Sequence, residues 1–433
     1  MTRARKWLFG IGIALSTLAL LVIVLVSLIP SDEELAQRAS TELESALGVP
    51  VSVGALHWQL LPSPSVVIEN VMTRQSPPIE LKKLTAYLDT AALWQRRLKV
   101  ERAELEGAVL PQLSLRGLGR QTPFAEEKKP QTFSLDELPL ARLDFHDVTW
   151  ISRRGIRLVY AGDVEFDAGW RPRTARIRRP DFTPATDLTL TRQAQDDRWE
   201  VRINLGGGTV NGQAQLQTEG QGGLRLTGKL QPRGIEVVSA LQAFNRRSII
   251  AGKASGDTTL SASGNTVAAL AQSLHTTTAF TMGRATLLRF DVDKAIRSAG
   301  KDHAGSTPLD SISGQLDTQN TPQGMVVDYT RVKTSSGTLS ASGKAHIANR
   351  QIEAEFAVDL VQGVVGVPLK VSGPLEQVAV SVPAGAVTGA VVGTAVLPGI
   401  GTAIGARIGA ALSQIFGSEL AGKKSPAPAR KSP

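Results

Sequence analysis

Trp7 to Ile29 is a run of 23 residues without one charge, preceded by Arg3, Arg5 and Lys6, and no other stretch constrains the chain as strongly. As a helix rising about 1.5 Å per residue it would be about 35 Å long, enough to cross a hydrocarbon core of roughly 30 Å. Trp7, Leu8, Leu20, Leu21, Val24 and Ile29 are the residues expected to carry this anchor. A secretory h-region is shorter, about 7 to 15 residues, and is followed by a small-x-small cleavage site. Here the run ends in Leu28-Ile29-Pro30, so an uncleaved anchor is expected, with a cleaved signal as the alternative. The basic residues before the run and Asp32-Glu33-Glu34 after it place the N-terminus in the cytoplasm and the remainder outside it.

The exported part reads as β structure. The 433 residues include 41 glycines and only 3 tyrosines, and the apolar residues come in short alternating runs. Six of the nine net positive charges sit at the two ends of the chain, which indicates anionic lipid headgroups rather than a nucleic-acid face. The chain contains no cysteine, which excludes a disulfide framework and thiolate metal sites.

Ser31-Asp32-Glu33-Glu34 forms a capping box, and Leu35, Ala39, Leu43 and Leu47 recur every four residues before Gly48-Val49-Pro50. A helix is expected there, packed on the end of a β core or lying on a membrane surface. From Pro50 the period becomes two: Val51 and Val53, then Val66 and Ile68, alternate with small or polar neighbours around the break at Leu61-Pro62-Ser63-Pro64. Further strand-like runs follow at 81–88, 98–105, 109–115, 140–150, 156–166, 188–190, 201–205, 210–216 and 224–230, separated by glycines, prolines and polar clusters. A helix is expected at Val267, Leu270, Ala271 and Leu274, and a last strand pair at 352–360 and 368–371. Leu369 and Val371 belong to the latter. The expected fold is mostly β, an elongated antiparallel sheet with few helices.

Catalytic signatures are missing. The five histidines are scattered with no i+4 partner, and neither a Gly-x-Ser-x-Gly elbow nor a phosphate-binding loop occurs. Gly206-Gly207-Gly208 reads as a turn, and Asp196-Asp197, followed by Arg198, as a hairpin tip. No enzyme activity, cofactor or metal is expected.

Near the C-terminus, Ala384 to Ala406 is again uncharged, and its glycines are periodic: Gly385, Gly389 and Gly393, then Gly401, Gly405 and Gly409 beyond Pro398-Gly399. Small residues every four positions let helix backbones approach closely, as in membranes. Three readings stand: a helical hairpin inserted in a bilayer, a self-associating segment, or a linker. A disordered basic tail follows from 418.

The order of these pieces resembles the AsmA-like family of envelope proteins. The resemblance is carried by the basic stub and anchor, by Ala46 to Gly54, by Leu60-Leu61-Pro62-Ser63-Pro64-Ser65-Val66-Val67-Ile68, and by Val367-Pro368-Leu369-Lys370-Val371-Ser372-Gly373. It implies a curved β groove similar to bridge-like lipid transfer proteins, with Val51, Val53, Val66, Ile68, Leu369 and Val371 as candidate lining. It also implies a Gram-negative inner-membrane protein with its bulk in the periplasm. Its partners would be membrane lipids, phospholipids above all, together with the inner membrane, a second copy of itself or envelope assembly proteins, and no nucleic acid. The expected role is sheltering acyl chains in phospholipid transport or outer-membrane biogenesis, with scaffolding of outer-membrane protein assembly through the glycine zipper as the alternative. The expected divisions are a stub (1–6), the anchor (7–29), an N-terminal region (30–117), a loop (118–131), a middle region (132–250), a C-terminal region (251–382), the zipper (383–417) and the tail (418–433).

Overall fold

Asp32, Glu33 and Glu34 occupy the first turn of helix α1 (Asp32–Leu47), where negative charge complements the helix dipole. Gly48, with φ +70°, ends it, its N–H donating to the Glu44 carbonyl at 2.9 Å. The computed structural model describes residues 32–59, 63–95, 97–117, 134–167, 171–193, 197–219, 223–265, 267–321, 323–360, 364–375 and 377–382. The chain divides into two units, residues 1–180 and 181–433.

In the first unit the strands are β1 (Val51–Ser52), β2 (Ala55–Gln59), β3 (Ser65–Thr73), β4 (Glu80–Leu88), β5 (Arg97–Pro111), β6 (Ser134–Ile151), β7 (Arg157–Asp167) and β8 (Arg171–Arg178). A one-turn helix, α2 (Thr90–Trp94), joins β4 to β5. β1 and β2 both pair with β3, after which each strand pairs with the next. Helix α1 is tied to this edge by two side-chain acceptors. Glu44 Oε1 takes the N–H of Val51 at 2.9 Å and Ser40 Oγ that of Val53 at 3.1 Å, satisfying amides the ladder leaves open.

The second unit is a meander of β9 (Asp187–Arg192), β10 (Arg198–Leu205), β11 (Gly208–Glu219), β12 (Gly223–Arg233), β13 (Ile235–Glu236), β14 (Ile250–Gly264), β15 (His275–Leu287), β16 (Thr307–Leu309), β17 (Ser311–Thr321), β18 (Gly324–Ser335), β19 (Leu339–Ala348), β20 (Gln351–Leu360), β21 (Val364–Pro374) and β22 (Ala379–Ser381). All its recorded pairs are antiparallel. The short β13 and β16 pair at one end of the long strands β14 and β15. Three short helices accompany it: α3 (Val237–Gln242), α4 (Val267–Ser273) and α5 (Val292–Arg297). The packed core lies where Val292, Ala295 and Ile296 of α5 meet Met282, Leu309, Leu339, Val358, Leu360, Val367 and Leu369 of the sheet.

The expected fold needs correction. Among the described residues no helix is long and apolar enough to cross a membrane. The longest, α1, has 16 residues and bears several charges, whereas a spanning helix needs about 20 mostly apolar ones. The anchor residues Trp7, Leu8, Leu20, Leu21, Val24 and Ile29 lie outside the described residues. So do Gly385, Gly389, Gly393, Gly401, Gly405 and Gly409. The structure is therefore mostly β with short helices, and it does not supply the transmembrane helix and C-terminal hairpin of the expected architecture. The β structure is also mixed, because β5 and β6 run parallel, with Leu105 opposite Phe145. A parallel pair needs a crossover connection, so the expectation of a wholly antiparallel sheet fails at this point.

The apolar sheet faces as candidate binding surface

Side chains alternate across a strand, so the register decides which residues share a face. In the second unit one face collects the apolar residues strand after strand. Val201 and Ile203 stand opposite Gly212 and Val210, and Leu216 stands opposite Leu226. Across β14 the same face holds Leu260 and Ala262; across β15 and β17 it holds Phe280, Met282, Ile312 and Leu316. It continues through Tyr329, Ala345 and Ile347 to Ile352, Ala354 and Phe356, and ends on Leu369, Val371 and Val380.

The opposite face is polar. It presents Asn211, Gln213, Gln215, Arg225, Lys229, Asp257, Ser261, Asp317, Lys333, Lys344, Glu353 and Glu355, most of them exposed. Lys344 and Lys370 flank Glu355 there at 3.8 and 3.3 Å.

Threonines on the apolar face do not break its character. Thr258 and Thr278 hydrogen-bond each other at 2.9 Å, and Thr276 and Thr318 do so at 2.7 Å. Each pair consumes its own hydroxyl polarity across two strands. Phe280 meets Tyr329 edge to face at 6.3 Å, and burial pushes the Tyr329 phenol above its ordinary pKa. At one end α5 seals this face, but Leu216, Leu224, Leu226, Leu230, Leu260, Phe280, Leu316, Tyr329, Ile347 and Phe356 are only half-buried. Among the described residues nothing closes the strip over there. From β10 to β21 it crosses ten strands among the described residues, roughly 40 Å at the usual strand spacing.

The first unit repeats the division. Leu56, Val66, Ile68, Leu84, Leu105, Leu143 and Phe145 share one face. The other carries a ladder of charges. Asp144, whose side chain is 7% exposed, accepts from Arg102 Nε at 2.6 Å and from Arg142 at 3.0 Å; Arg142 reaches Glu165 at 3.3 Å and Arg173 reaches Glu165 at 2.9 Å. Burial alone would raise the Asp144 pKa, but the hydrogen bonds from Arg142 and Arg102 outweigh it and hold the carboxyl below its ordinary range. Glu165 is lowered too, first by its bond from Arg173. With every carboxylate matched, this ladder is a cross-strand brace.

Of the residues singled out from sequence, Val66 and Ile68 stand half-buried on the apolar face of the first unit. Leu369 and Val371 are on that of the second, Leu369 within the sealed core. Val51 and Val53 are at the edge where α1 docks. Sequence reasoning missed Phe280, Leu316, Tyr329 and Phe356, whose signal was an apolar residue every second position inside strands rich in threonine, serine and glutamine. The histidines are dispersed: His57 pairs with Asp32 at 2.9 Å, His346 with Asp328 at 2.6 Å, and His303 stacks on Phe290. Among the described residues no cluster of His, Cys, Asp or Glu could hold a metal. Asp197 is held by Arg192 at 2.7 Å, and Gly206 and Gly207 form a turn with φ +54° and +73°.

Comparison with family models, curated proteins and solved structures finds no match to this chain. Nothing there supports the AsmA-like resemblance or the periplasmic and outer-membrane role drawn from it. The expected single-pass inner-membrane placement is likewise corrected, since the described helices cap sheet ends and edges and none can cross a bilayer. The anchored lipid-transport role falls with it; the glycines on which the zipper scaffold rests lie outside the described residues. What remains is β structure in two units, mixed in the first and antiparallel in the second.

Proposed function

We propose that the chain is a non-enzymatic lipid-binding protein that holds phospholipid acyl chains against the apolar face of its second unit. Neither an anchor nor a groove is needed for this. The observation that carries it is the half-buried apolar strip, interrupted by cross-paired threonines, facing away from a largely polar surface. Contiguous apolar surface that is left partly open marks an interaction or ligand-binding site. An acyl chain spans half of a hydrocarbon core, about 15 Å, so the strip of roughly 40 Å accommodates one without contact to the polar face. With its threonine hydroxyls paired to each other across strands, the strip suits chains that differ only in length or saturation.

The test is photolabelling of the full chain with a phospholipid carrying a diazirine in its acyl chain, followed by peptide mapping. Labels are expected on residues 224–230, 276–282, 312–318 and 326–332, and their yield falls severalfold in Leu226→Asp/Phe280→Asp. Labelling confined to the polar face, or unchanged in the double variant, sinks the proposal.

A further inference from the structure

At the end of the second unit that α5 seals, the chain leaves α3 through a tight turn whose outer surface is both apolar and basic. The Phe244 N–H donates to the Leu241 carbonyl at 3.0 Å and that of Arg246 to the same carbonyl at 2.9 Å; Asn245 takes the left-handed conformation, φ +52°, usual after a helix. Ser248 Oγ accepts the Ile250 N–H at 3.0 Å, fixing the return into β14. Held between these two ties, Phe244 is 37% and Ile249 62% exposed. Arg246 and Arg247 stand exposed between them. The Leu288 N–H donates to the Ile249 carbonyl at 2.7 Å, which brings the exposed Arg289 alongside. The acid nearest Arg289 in sequence, Asp291, is occupied in capping α5 through the Lys294 N–H at 2.9 Å.

We infer that the 244–249 turn, with Arg289, is a docking surface for an anionic lipid bilayer. Three arginines would meet the headgroups, while Phe244 and Ile249 enter the acyl region. Charge alone would equally suit a nucleic acid or an acidic protein. Two large apolar side chains flanking the arginines are the signature of an interface with hydrocarbon beneath a layer of negative charge. A rigid turn also loses little conformational entropy on insertion. The inference extends the lipid-binding reading from what is held to where it is collected.

Because the chain has no cysteine, Ile249→Cys can carry a polarity-sensitive dye at one position of the full-length protein. The labelled chain is mixed with vesicles of phosphatidylcholine alone, or of equal parts phosphatidylcholine and phosphatidylserine. The emission is expected to shift to the blue with the anionic vesicles only. Arg246→Glu/Arg247→Glu raises the vesicle concentration at half-shift about tenfold or more, from the usual attraction of two basic groups to an anionic surface. A dye at Lys344→Cys, on the polar face, stays in water. No shift at position 249, an equal shift on both vesicles, or vesicle binding without a shift each overturns the inference. Should the double variant melt at lower temperature, Arg247→Glu/Arg289→Glu supplies the charge reversal. Dye insertion without acyl-chain labelling of the strip would refute only the function proposed above, and labelling without insertion only this docking surface.

Discussion

At the scale of single residues, the glycines and one carboxylate show how the faces are kept. Gly162 lies opposite Phe145, Gly256 and Gly314 opposite Phe280, and Gly343 opposite Phe356. A Cβ on Gly343 would come within 2.5 Å of the Phe356 ring, and one on Gly162 within 2.8 Å of the Phe145 ring. Each phenyl thus lies over a position without a side chain and stays on its own face. Gly343→Val should destabilise the chain by about 1 to 3 kcal/mol by pressing on the Glu355 carbonyl and the Phe356 ring, read as a lower midpoint in denaturant. From sequence these glycines look like strand separators, because nothing local distinguishes a glycine that ends a strand from one that makes room for a partner's ring. Asp144 was equally hidden, since Arg102 lies 42 residues away in the chain. Asp144→Asn should cost about 2 kcal/mol at neutral pH, as a charge-assisted pair of hydrogen bonds is weakened. Because the folded-state pKa of Asp144 is depressed, its stabilisation is fully present above its unfolded value near 4 and is lost as pH falls through the lower folded one. Acid unfolding curves of wild type and variant should accordingly converge at low pH; parallel curves would contradict this role for Asp144.

Among elements, α1 was the most legible. Its acidic first turn, four-residue apolar spacing and terminal glycine act within one helix, and the observed Asp32–Leu47 follows from them. What the pattern could not reveal is its attachment, made by the polar residues Ser40 and Glu44. Ser40→Ala removes the acceptor for the Val53 N–H and should lower stability by about 1 kcal/mol, measurable by thermal melting. The expected breaks at 106–108 misled in the other direction, for β5 runs unbroken from Arg97 to Pro111 through Gly107 at φ +66°. β15 and β17 escaped notice because threonine and glycine take several of their apolar-face positions, and a pattern read by hydrophobicity counts them as polar; in β18 a register shift between Tyr329 and Val332 breaks the alternation. The parallel pairing of β5 with β6 had no local signal at all, being decided by which edges meet.

For the whole molecule, composition and alternation foretold β structure, and the register adds that in the second unit the apolar face continues from strand to strand across the register shifts. In the second unit the recorded antiparallel pairings follow chain order, so a strand's stability is borrowed chiefly from its immediate neighbours. Hydrogen exchange should therefore be graded, slowest where α5 packs on the sheet and faster toward β9, in place of one uniform protection. Uniform protection across 187–381 would contradict it.

The meander also bears on how such a chain can change over time. Each antiparallel hairpin brings two strands of the same alternating phase, so gaining or losing one leaves the sidedness of all the others intact. A segment such as 311–335, β17 with β18, is in this sense a self-contained module. Its duplication would widen the apolar strip by roughly 10 Å, two strand spacings, without a new fold or a rearranged core. The capacity of the surface is thus a quantity that can be counted in hairpins.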